Sequence, residues 1–257
     1  MYLKTQGLVL RVTAYNDTDA LLTVLTREQG KLTVKARGLR RKNSPLTAPC
    51  QLLSYSEFTL FEYRGMYTIN DAHSIELFHS LRKDLGKLSL ATYFGQAADV
   101  IAQEDLPNPE LLALVLNCLY ALSKLDISEK QVKAVFELRI ACLAGYEPDL
   151  SACHGCGSLY PDRFDLSHGQ VECHNCRNAD SNGIRMPISH GVLDAMRYIC
   201  RCAPKRLFSF AVSEESAEAL ASITEGYLSI QLERGFSALD FYKSLENPVE
   251  SLGVNHV

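Results

Sequence analysis

The sequence lacks an apolar run of about 18 residues, the length that a membrane-spanning helix needs. Its first residues also lack the apolar stretch of a secretory signal. It has no excess of positive charge, with 26 Lys and Arg against 30 Asp and Glu, so composition argues against a general nucleic-acid coat. We therefore expect a cytoplasmic protein that does not cross a membrane and whose cysteines stay reduced.

Two Cys-x-x-Cys pairs stand close together in the second half of the chain: Cys153, Cys156, Cys173 and Cys176. The sixteen residues between the inner pair are enough for a short hairpin that brings the two turns face to face. This spacing predicts one tetrahedral Zn²⁺ site in a zinc ribbon. Because sulfur fills all four positions, none is left for water or substrate, and we predict a structural metal.

Other chemistry at these cysteines finds less support in the sequence. A deaminase-type zinc centre needs a His-x-Glu ahead of the cysteine pair, and neither His154 nor His174 has a glutamate at that spacing. We interpret both histidines as exposed loop residues. The other cysteines lie in apolar stretches and are interpreted as small buried hydrophobic residues: Cys50, Cys118, Cys142, Cys200 and Cys202.

The first 78 residues have the apolar alternation of β-strands and no helical pattern. Five strands are predicted, over residues 6–12, 21–26, 31–36, 51–61 and 66–75. Gly65 lies where a short hairpin turn between the last two strands requires a glycine. Since closure removes the exposed edges of so short a sheet, we predict a five-stranded barrel of the OB type.

A row of positive charges follows the third strand. Five cations fall within eight residues that contain no acid: Lys35, Arg37, Arg40, Arg41 and Lys42. Glycine, asparagine, serine and proline in and after this row predict a mobile loop. A cationic loop at the rim of an OB barrel suits a phosphate backbone, whereas the alternative is a solvated surface loop or a salt-bridge cluster.

The charge is distributed unevenly along the chain. Residues 1–78 contain ten Lys or Arg and seven Asp or Glu, whereas the rest contains sixteen and twenty-three. The predicted barrel is therefore the positive part of the chain. Six of its aromatic residues are candidates for stacking on bases, although the alternation does not say which of them face outward: Tyr15, Tyr55, Phe58, Phe61, Tyr63 and Tyr67.

After Leu81 the apolar period becomes helical. Asn108 is a candidate helix cap, Ser128 with Gln131 a candidate capping box, and Ser213 the start of the last long helix. We predict an α+β multidomain protein with an OB-fold domain at 1–79, an all-α domain at 80–150 and 187–246, a zinc ribbon embedded in it at 151–186, and a disordered tail at 247–257.

Six segments of the chain resemble the RecO family, in order, within a match that reaches about residue 245: 5–11, 26–31, 36–38, 136–139, 143–150 and 153–157. The resemblance implies an OB barrel, a helical domain and a zinc ribbon. It also implies a bacterial, nucleoid-associated protein that binds single- and double-stranded DNA, anneals complementary strands and is not an enzyme.

The resemblance further implies partners. RecO proteins work with RecR to load RecA on DNA coated by the single-strand-binding protein SSB, whose C-terminal tail is a partner. On this chain it assigns metal binding to the four paired cysteines, and DNA binding to Lys35, Arg37, Arg40, Arg41 and Lys42, with Arg11 as a neighbour.

Two rival functions belong to other classes. An RNA-binding or regulatory protein would share the OB barrel and the zinc ribbon, but it would prefer RNA or particular sequences and would not accelerate annealing. A zinc-dependent hydrolase or deaminase would need an open metal position and a nearby general base.

Overall fold

The computed structural model describes residues 2–176 and 183–246. The predicted disordered tail lies outside the described residues, and so does part of the predicted ribbon, at 177–182. Across the described ranges, no helix combines the length and the apolar character that crossing a membrane requires.

The amino-terminal residues form a closed barrel of five strands, as predicted. Its strands are β1 (Tyr2–Ala14), β2 (Ala20–Thr26), β3 (Gly30–Ala36), β4 (Tyr55–Tyr63) and β5 (Met66–Glu76). They lie in the order β1-β2-β3-β5-β4, and all neighbours are antiparallel except β3 and β5. The barrel closes through this short parallel pair, at Val34 with Tyr67 and Lys35 with Thr68.

Strand β1 is longer than the predicted strand at 6–12 because it pairs with two different strands along its length. Its first half pairs with β4 and its second half with β2, and the register shifts between Val9 and Arg11. A bulge of this kind bends a strand and raises its twist. Gly7 lies where β1 pairs with both β2 and β4. A Cβ at this position would meet Val24 Cγ1 at 2.5 Å, so it requires glycine.

The turn between β4 and β5 matches the prediction made from Gly65. Arg64 and Gly65 have φ angles of 52° and 75°, and Tyr63 pairs with Met66 across the turn. Two central residues with positive φ suit the twist of a two-residue hairpin. Strand β4 begins at Tyr55 and not at residue 51, because the preceding residues form turns.

The described part of the chain contains six α-helices, and each packs an apolar side inward. They are α1 (Leu85–Ile101), α2 (Pro109–Lys124), α3 (Glu129–Leu143), α4 (His190–Arg201), α5 (Glu214–Leu232) and α6 (Ser237–Glu246). Helix α1 begins four residues later than Leu81, because the Asp84 side chain caps it by accepting the Lys87 N–H at 3.0 Å.

The predicted helix caps are confirmed in part. Asn108 Oδ1 accepts the Leu111 N–H at 3.0 Å, and Ser213 Oγ accepts the Ser216 N–H at 3.2 Å. Ser128 Oγ also accepts the Gln131 N–H, at 3.4 Å. A capping box also needs the Gln131 side chain to bond back to the backbone of Ser128, and that part of the prediction is wrong. The Gln131 amide donates to the Phe210 carbonyl instead, at 3.1 Å.

A small three-stranded sheet lies between α3 and α4 in the sequence. It contains β6 (Arg163–Asp165), β7 (Gln170–Glu172) and β8 (Arg185–Pro187), in the order β7-β6-β8. The β6–β7 hairpin is the one that the cysteine spacing predicts. Arg185 holds the sheet together, with Nε at 2.8 Å from Glu172 and Nη2 at 3.4 Å from Asp165.

Contacts along the chain define two compact units. The first contains the barrel, α1, α2 and α6, and the second, residues 124–235, contains α3–α5 and the small sheet. Within the first unit, α6 packs on α1, and the Ser89 hydroxyl donates to the Ala238 carbonyl at 2.7 Å. The domain boundaries drawn from the sequence stay a prediction.

Candidate nucleic-acid interface and metal centre

The predicted cationic loop is a series of hydrogen-bonded turns that follows β3. We call residues 37–42 the basic segment. The Arg40 N–H donates to the Thr18 carbonyl at 3.0 Å, and the Gly38 N–H donates to Asp19 Oδ1 at 2.9 Å. Leu39 packs against the barrel core. The segment is therefore anchored on the β1–β2 turn and on the barrel itself.

Four cations of the basic segment are exposed: Arg37, Arg40, Arg41 and Lys42. Arg40 donates to the Asn16 carbonyl. In the part of the chain that the structure describes, none of the four forms an ion pair with an acid. Their charges are therefore available to an external anion.

Lys35, the fifth cation of the row, has a different environment. Its ammonium lies 3.2 Å from Asp19 Oδ2 and 4.6 Å from the centre of the Tyr15 ring. The Gly38 N–H, opposed by desolvation, is the largest cause that lowers the pKa of Asp19, and Lys35 adds to it. Asp19 is therefore a stable anion that neutralises Lys35 and holds the start of the basic segment.

Arg11 also has an acidic partner within the first unit. Its Nη2 lies 3.4 Å from Asp99 Oδ2 and donates to Thr23 Oγ1 at 3.2 Å. Lys31 Nζ approaches the same carboxylate at 3.3 Å. Since the Arg11 side chain is still 62% exposed, it lies at the edge of the cationic surface with part of its charge balanced.

A groove of about 340 Å³ lies beside the basic segment, at the end of the barrel where β3 meets β5. Its lining combines exposed aromatic rings with cationic side chains and includes Tyr15, Phe61, Tyr63, Lys35 and Arg37. Aromatic faces beside a cationic track are the general means by which proteins hold single-stranded nucleic acid. We call this feature the aromatic groove.

The structure separates the aromatic candidates into surface and core. Tyr15, Phe61 and Tyr63 are exposed, whereas Phe58 is buried in the barrel. The remaining two candidates are half-buried: the Tyr55 hydroxyl donates to Gln6 at 3.0 Å, and Tyr67 packs against the core. Three of the six are therefore on the surface, and each has a neighbour at its ring: Lys35 lies over Tyr15, Arg64 lies over Tyr63, and the Tyr2 ring is 5.3 Å from that of Phe61.

The four paired cysteines come together in the second unit. Their sulfur atoms all lie within 4.8 Å of one another, and Cys156 Sγ is 3.8 Å from Cys173 Sγ. Four ligands at the usual Zn–S distance of about 2.3 Å have sulfurs about 3.8 Å apart, so the donor set fits a tetrahedral thiolate site. This arrangement could hold a metal ion and leaves no open ligand position.

Backbone N–H groups favour the ionised form of one cysteine, Cys153. Burial opposes ionisation of Cys153, but the N–H groups of Cys156, Cys173 and Gly155 outweigh it and lower the pKa of this thiol to about 6. Burial and the neighbouring sulfurs raise the pKa of Cys173 to about 11. The Cys153 thiol thus ionises near neutral pH without a metal, whereas Cys173 needs a nearby cation to ionise there. His154 and His174 are exposed, as predicted.

The family model "Recombination protein O N terminal" matches residues 1–78, and "Recombination protein O C terminal" matches residues 82–240. The DNA repair protein RecO of Acetivibrio thermocellus is 37% identical over 247 residues, which cover 95% of this chain and 98% of the relative. That of Alkaliphilus metalliredigens is 31% identical over 95% of this chain and 100% of the relative.

The chain belongs to the RecO family.

RecO membership confirms the resemblance noted in the sequence and, with the closed barrel, the OB fold of the amino-terminal part. It identifies a DNA repair protein. The DNA-binding assignment of the basic segment, Lys35 and Arg11, and the metal-binding role of the four cysteines, stay predictions for this RecO chain.

Sequence reasoning missed the aromatic groove of this RecO chain. The strand period groups residues by face, but the β1 bulge interrupts that period, and the groove combines residues from all five strands or their ends. The cysteine interpretation was right for Cys50 and Cys118, which are buried. It was wrong for Cys142, Cys200 and Cys202, which are half-buried, because each lies near the end of a helix.

Proposed function

We propose that this chain is a DNA-binding mediator of repair and recombination that makes and breaks no covalent bonds. The observation that carries the proposal is the row of exposed cations in the basic segment beside the aromatic groove. Cations contact the phosphates of single and double strands alike, whereas aromatic faces favour unpaired bases. Neither contact reads sequence, which suits a protein that must act on any damaged site.

Annealing follows from the same surface. Two strands repel each other through their phosphates, and a cationic surface that holds both lowers this repulsion. Because the cations contact the backbone, the base edges stay free to pair. We propose that the basic segment contributes this charge, that Lys35 and Arg11 contribute less because acids balance them, and that the chain anneals complementary strands.

The partners proposed here rest on family membership and on charge. We propose RecR and the C-terminal tail of SSB as protein partners, with RecA loaded indirectly on SSB-coated single strands. Residues after 78 carry sixteen basic against twenty-three acidic side chains, which favours contacts with proteins over contacts with DNA. The proposed location is the bacterial cytoplasm, at the nucleoid.

We also propose that the four cysteines hold one zinc ion with a structural role. Four sulfur ligands satisfy zinc completely, and the β6–β7 hairpin joins the two Cys-x-x-Cys turns as in a ribbon. In this role the metal stabilises the second unit and contributes nothing directly to DNA binding by the barrel.

The salt dependence of DNA binding tests the assignment of the basic segment. If four cations each neutralise one phosphate of a single strand, log affinity falls with log salt at a slope of about −2.8, and a full contribution from Lys35 makes it about −3.5. Replacing Arg40, Arg41 and Lys42 by alanine should reduce the magnitude of the slope by about 2.

A matched triple variant gives the control. Arg201, Lys205 and Arg206 are exposed cations of the second unit, so their replacement by alanine removes the same charge elsewhere. We expect an unchanged slope. Equal loss in both variants would mean that DNA responds to net charge alone, and an unchanged slope in the first would place the DNA site elsewhere.

A fluorescence annealing assay on SSB-coated complementary strands tests the function itself. We expect the chain to accelerate annealing and the basic-segment variant to lose most of the acceleration. Preference for RNA over DNA of the same sequence, without acceleration, would support an RNA-binding protein instead.

A further inference from the structure

A second pair of cysteines lies close together, away from the metal-binding group. Cys142 is in the last turn of α3 and Cys200 in the last turn of α4, and their sulfurs are 3.8 Å apart. Both residues belong to the second unit and are half-buried, so small reagents reach them more easily than they reach Cys118 in the core. The pair is a dithiol that the proposed DNA and metal functions do not use.

The two helix ends are held in place around this pair. Arg139, one turn before Cys142 on α3, donates from Nη1 to the carbonyls of Cys200 at 2.7 Å and Ile199 at 3.3 Å. These bonds tie the end of α4 to α3 and fix the separation of the two backbones. A disulfide has sulfurs about 2.05 Å apart, so the thiols must close by about 1.8 Å, a distance that side-chain rotation can supply.

The two thiols have unequal acidity. The hydrogen bond between the two sulfurs is the largest cause that lowers the pKa of Cys142; burial and Glu147 oppose it, and the Arg139 charge adds to it. The same hydrogen bond, with burial, raises the pKa of Cys200. Cys142 is therefore the thiol that ionises first and acts as nucleophile, while Cys200 keeps its proton until the second step.

A cavity reaches the pair from the Cys200 side, and the Cys200 sulfur lies 3.8 Å from the Cys142 sulfur. It has a volume of about 280 Å³, and Cys200 lines it together with two acids, Glu147 and Asp149, two arginines, Arg197 and Arg201, and the apolar Pro148 and Leu150. A small neutral peroxide is compatible with this mixed lining. Cys202 lies two residues further on, but its sulfur is 3.7 Å from the Ile199 carbonyl of its own helix and does not belong to the pair.

We propose that Cys142 and Cys200 are a redox modification site, which a hydroperoxide converts to a disulfide between α3 and α4. The Cys142 thiolate attacks the peroxide, the O–O bond breaks, and the released alkoxide, or hydroxide when the oxidant is hydrogen peroxide, takes up a proton and leaves as an alcohol or as water. Cys142 then carries a sulfenic acid. The Cys200 sulfur attacks the Cys142 sulfur, the S–S bond forms, and the hydroxyl leaves with the Cys200 proton as water.

Over these two reaction steps the two thiols together lose two electrons, and the peroxide gains them. A dithiol reductant reverses the reaction by thiol–disulfide exchange. The bond joins residues 58 positions apart, so it restricts the unfolded chain of the second unit and stabilises its fold. The barrel contains neither cysteine, and its DNA affinity should stay unchanged.

Mass spectrometry of the unmodified chain tests the proposal. After mild treatment with hydrogen peroxide, digestion without reductant should yield a Cys142–Cys200 linked peptide that dithiothreitol separates again. The oxidised chain should also melt at a higher temperature. A Cys202→Ser variant, the matched control, should give the same peptide and shift, and a Cys142→Ser variant should give neither.

Three results would overturn the inference. The first is oxidation of both cysteines to sulfinic acid without a linked peptide. The second is a linked peptide in which Cys202 or one of the four metal-group cysteines replaces either member of the pair. The third is a linked peptide that forms without raising the melting temperature of the unmodified chain.

Discussion

The Lys35 ammonium and the Asp19 carboxylate lie 3.2 Å apart at the start of the basic segment. Lys35 lies on β3, and Asp19 immediately precedes β2. The carboxylate also accepts the Gly38 N–H, so one acid both balances a cation and positions the loop that carries four others. This relationship makes the contribution of Lys35 to DNA binding adjustable by a change at Asp19.

Replacing Asp19 by asparagine should strengthen DNA binding. An asparagine oxygen still accepts the Gly38 N–H, but it no longer neutralises Lys35. We expect tighter binding of single strands and a salt slope steeper by about 0.7, measured by fluorescence anisotropy at several salt concentrations. Asp17→Asn, the control, removes one negative charge at an exposed neighbour of Asp19. An equal gain in affinity in this variant would mean that the change in net charge, and not the release of Lys35, strengthens binding.

Removing a ring from the aromatic groove should weaken binding without changing its salt dependence. Stacking of a base on an aromatic ring contributes about 1 to 3 kcal/mol and releases no counterions. We expect Tyr63→Leu to lower the affinity for single strands, to affect duplex binding less, and to leave the slope unchanged. Tyr120→Leu, at an exposed ring on α2, is the control. A loss shared equally by duplex and single strands would contradict a stacking role.

Loss of one metal-group cysteine should destabilise the second unit. Structural zinc in small ribbons contributes about 10 kcal/mol or more of binding free energy. We expect elemental analysis to find about one zinc per unmodified chain and much less in Cys173→Ser, with a lower melting temperature. DNA affinity per folded molecule should hold steady, and Cys202→Ser should retain its metal. Full zinc retention in Cys173→Ser would exclude that residue as a ligand.

A buried ion pair in the second unit should make the stability of one variant depend on pH. Lys133 Nζ lies 3.1 Å from Glu137 Oε1 on the same helix and 2.7 Å from Glu225 Oε2 on α5, and the Lys133 and Glu137 side chains are almost completely buried. Burial raises the pKa of Glu137, and the Lys133 charge opposes this increase. Lys133→Met removes the opposing charge, and we expect a loss of about 3 to 5 kcal/mol in the free energy of unfolding.

The sign of the pH effect follows from the raised pKa. In Lys133→Met the folded chain holds a proton on Glu137 more tightly than the unfolded chain does, so stability falls as pH rises above the ordinary value of 4.5. Urea unfolding at about pH 6 and about pH 8 measures this fall. Lys130→Met removes the more exposed pair with Glu218, and a loss below about 1 kcal/mol is expected. Equal losses in the two variants would argue against the buried pair.

Local patterns in the sequence determined the fold class, the strand order along the chain and the metal-binding group. The apolar alternation that predicts a strand involves residues only two positions apart. The two Cys-x-x-Cys pairs are joined by a single hairpin, so residues close together in the sequence were sufficient in both cases. Asn108 and Ser213 were predictable as caps for the same reason, since a cap bonds a backbone N–H three residues away.

Only the tertiary structure decided which cations are available and which residues meet across the fold. Arg11 is paired with Asp99, 88 positions along the chain, and the Gln131 amide bonds to Phe210, so neither partner could be read from neighbouring residues. The Cys142–Cys200 pair depends on the packing of α3 against α4 in the same way. Long-range contacts of this kind follow from how faces pack, and the sequence pattern specifies the faces but not their partners.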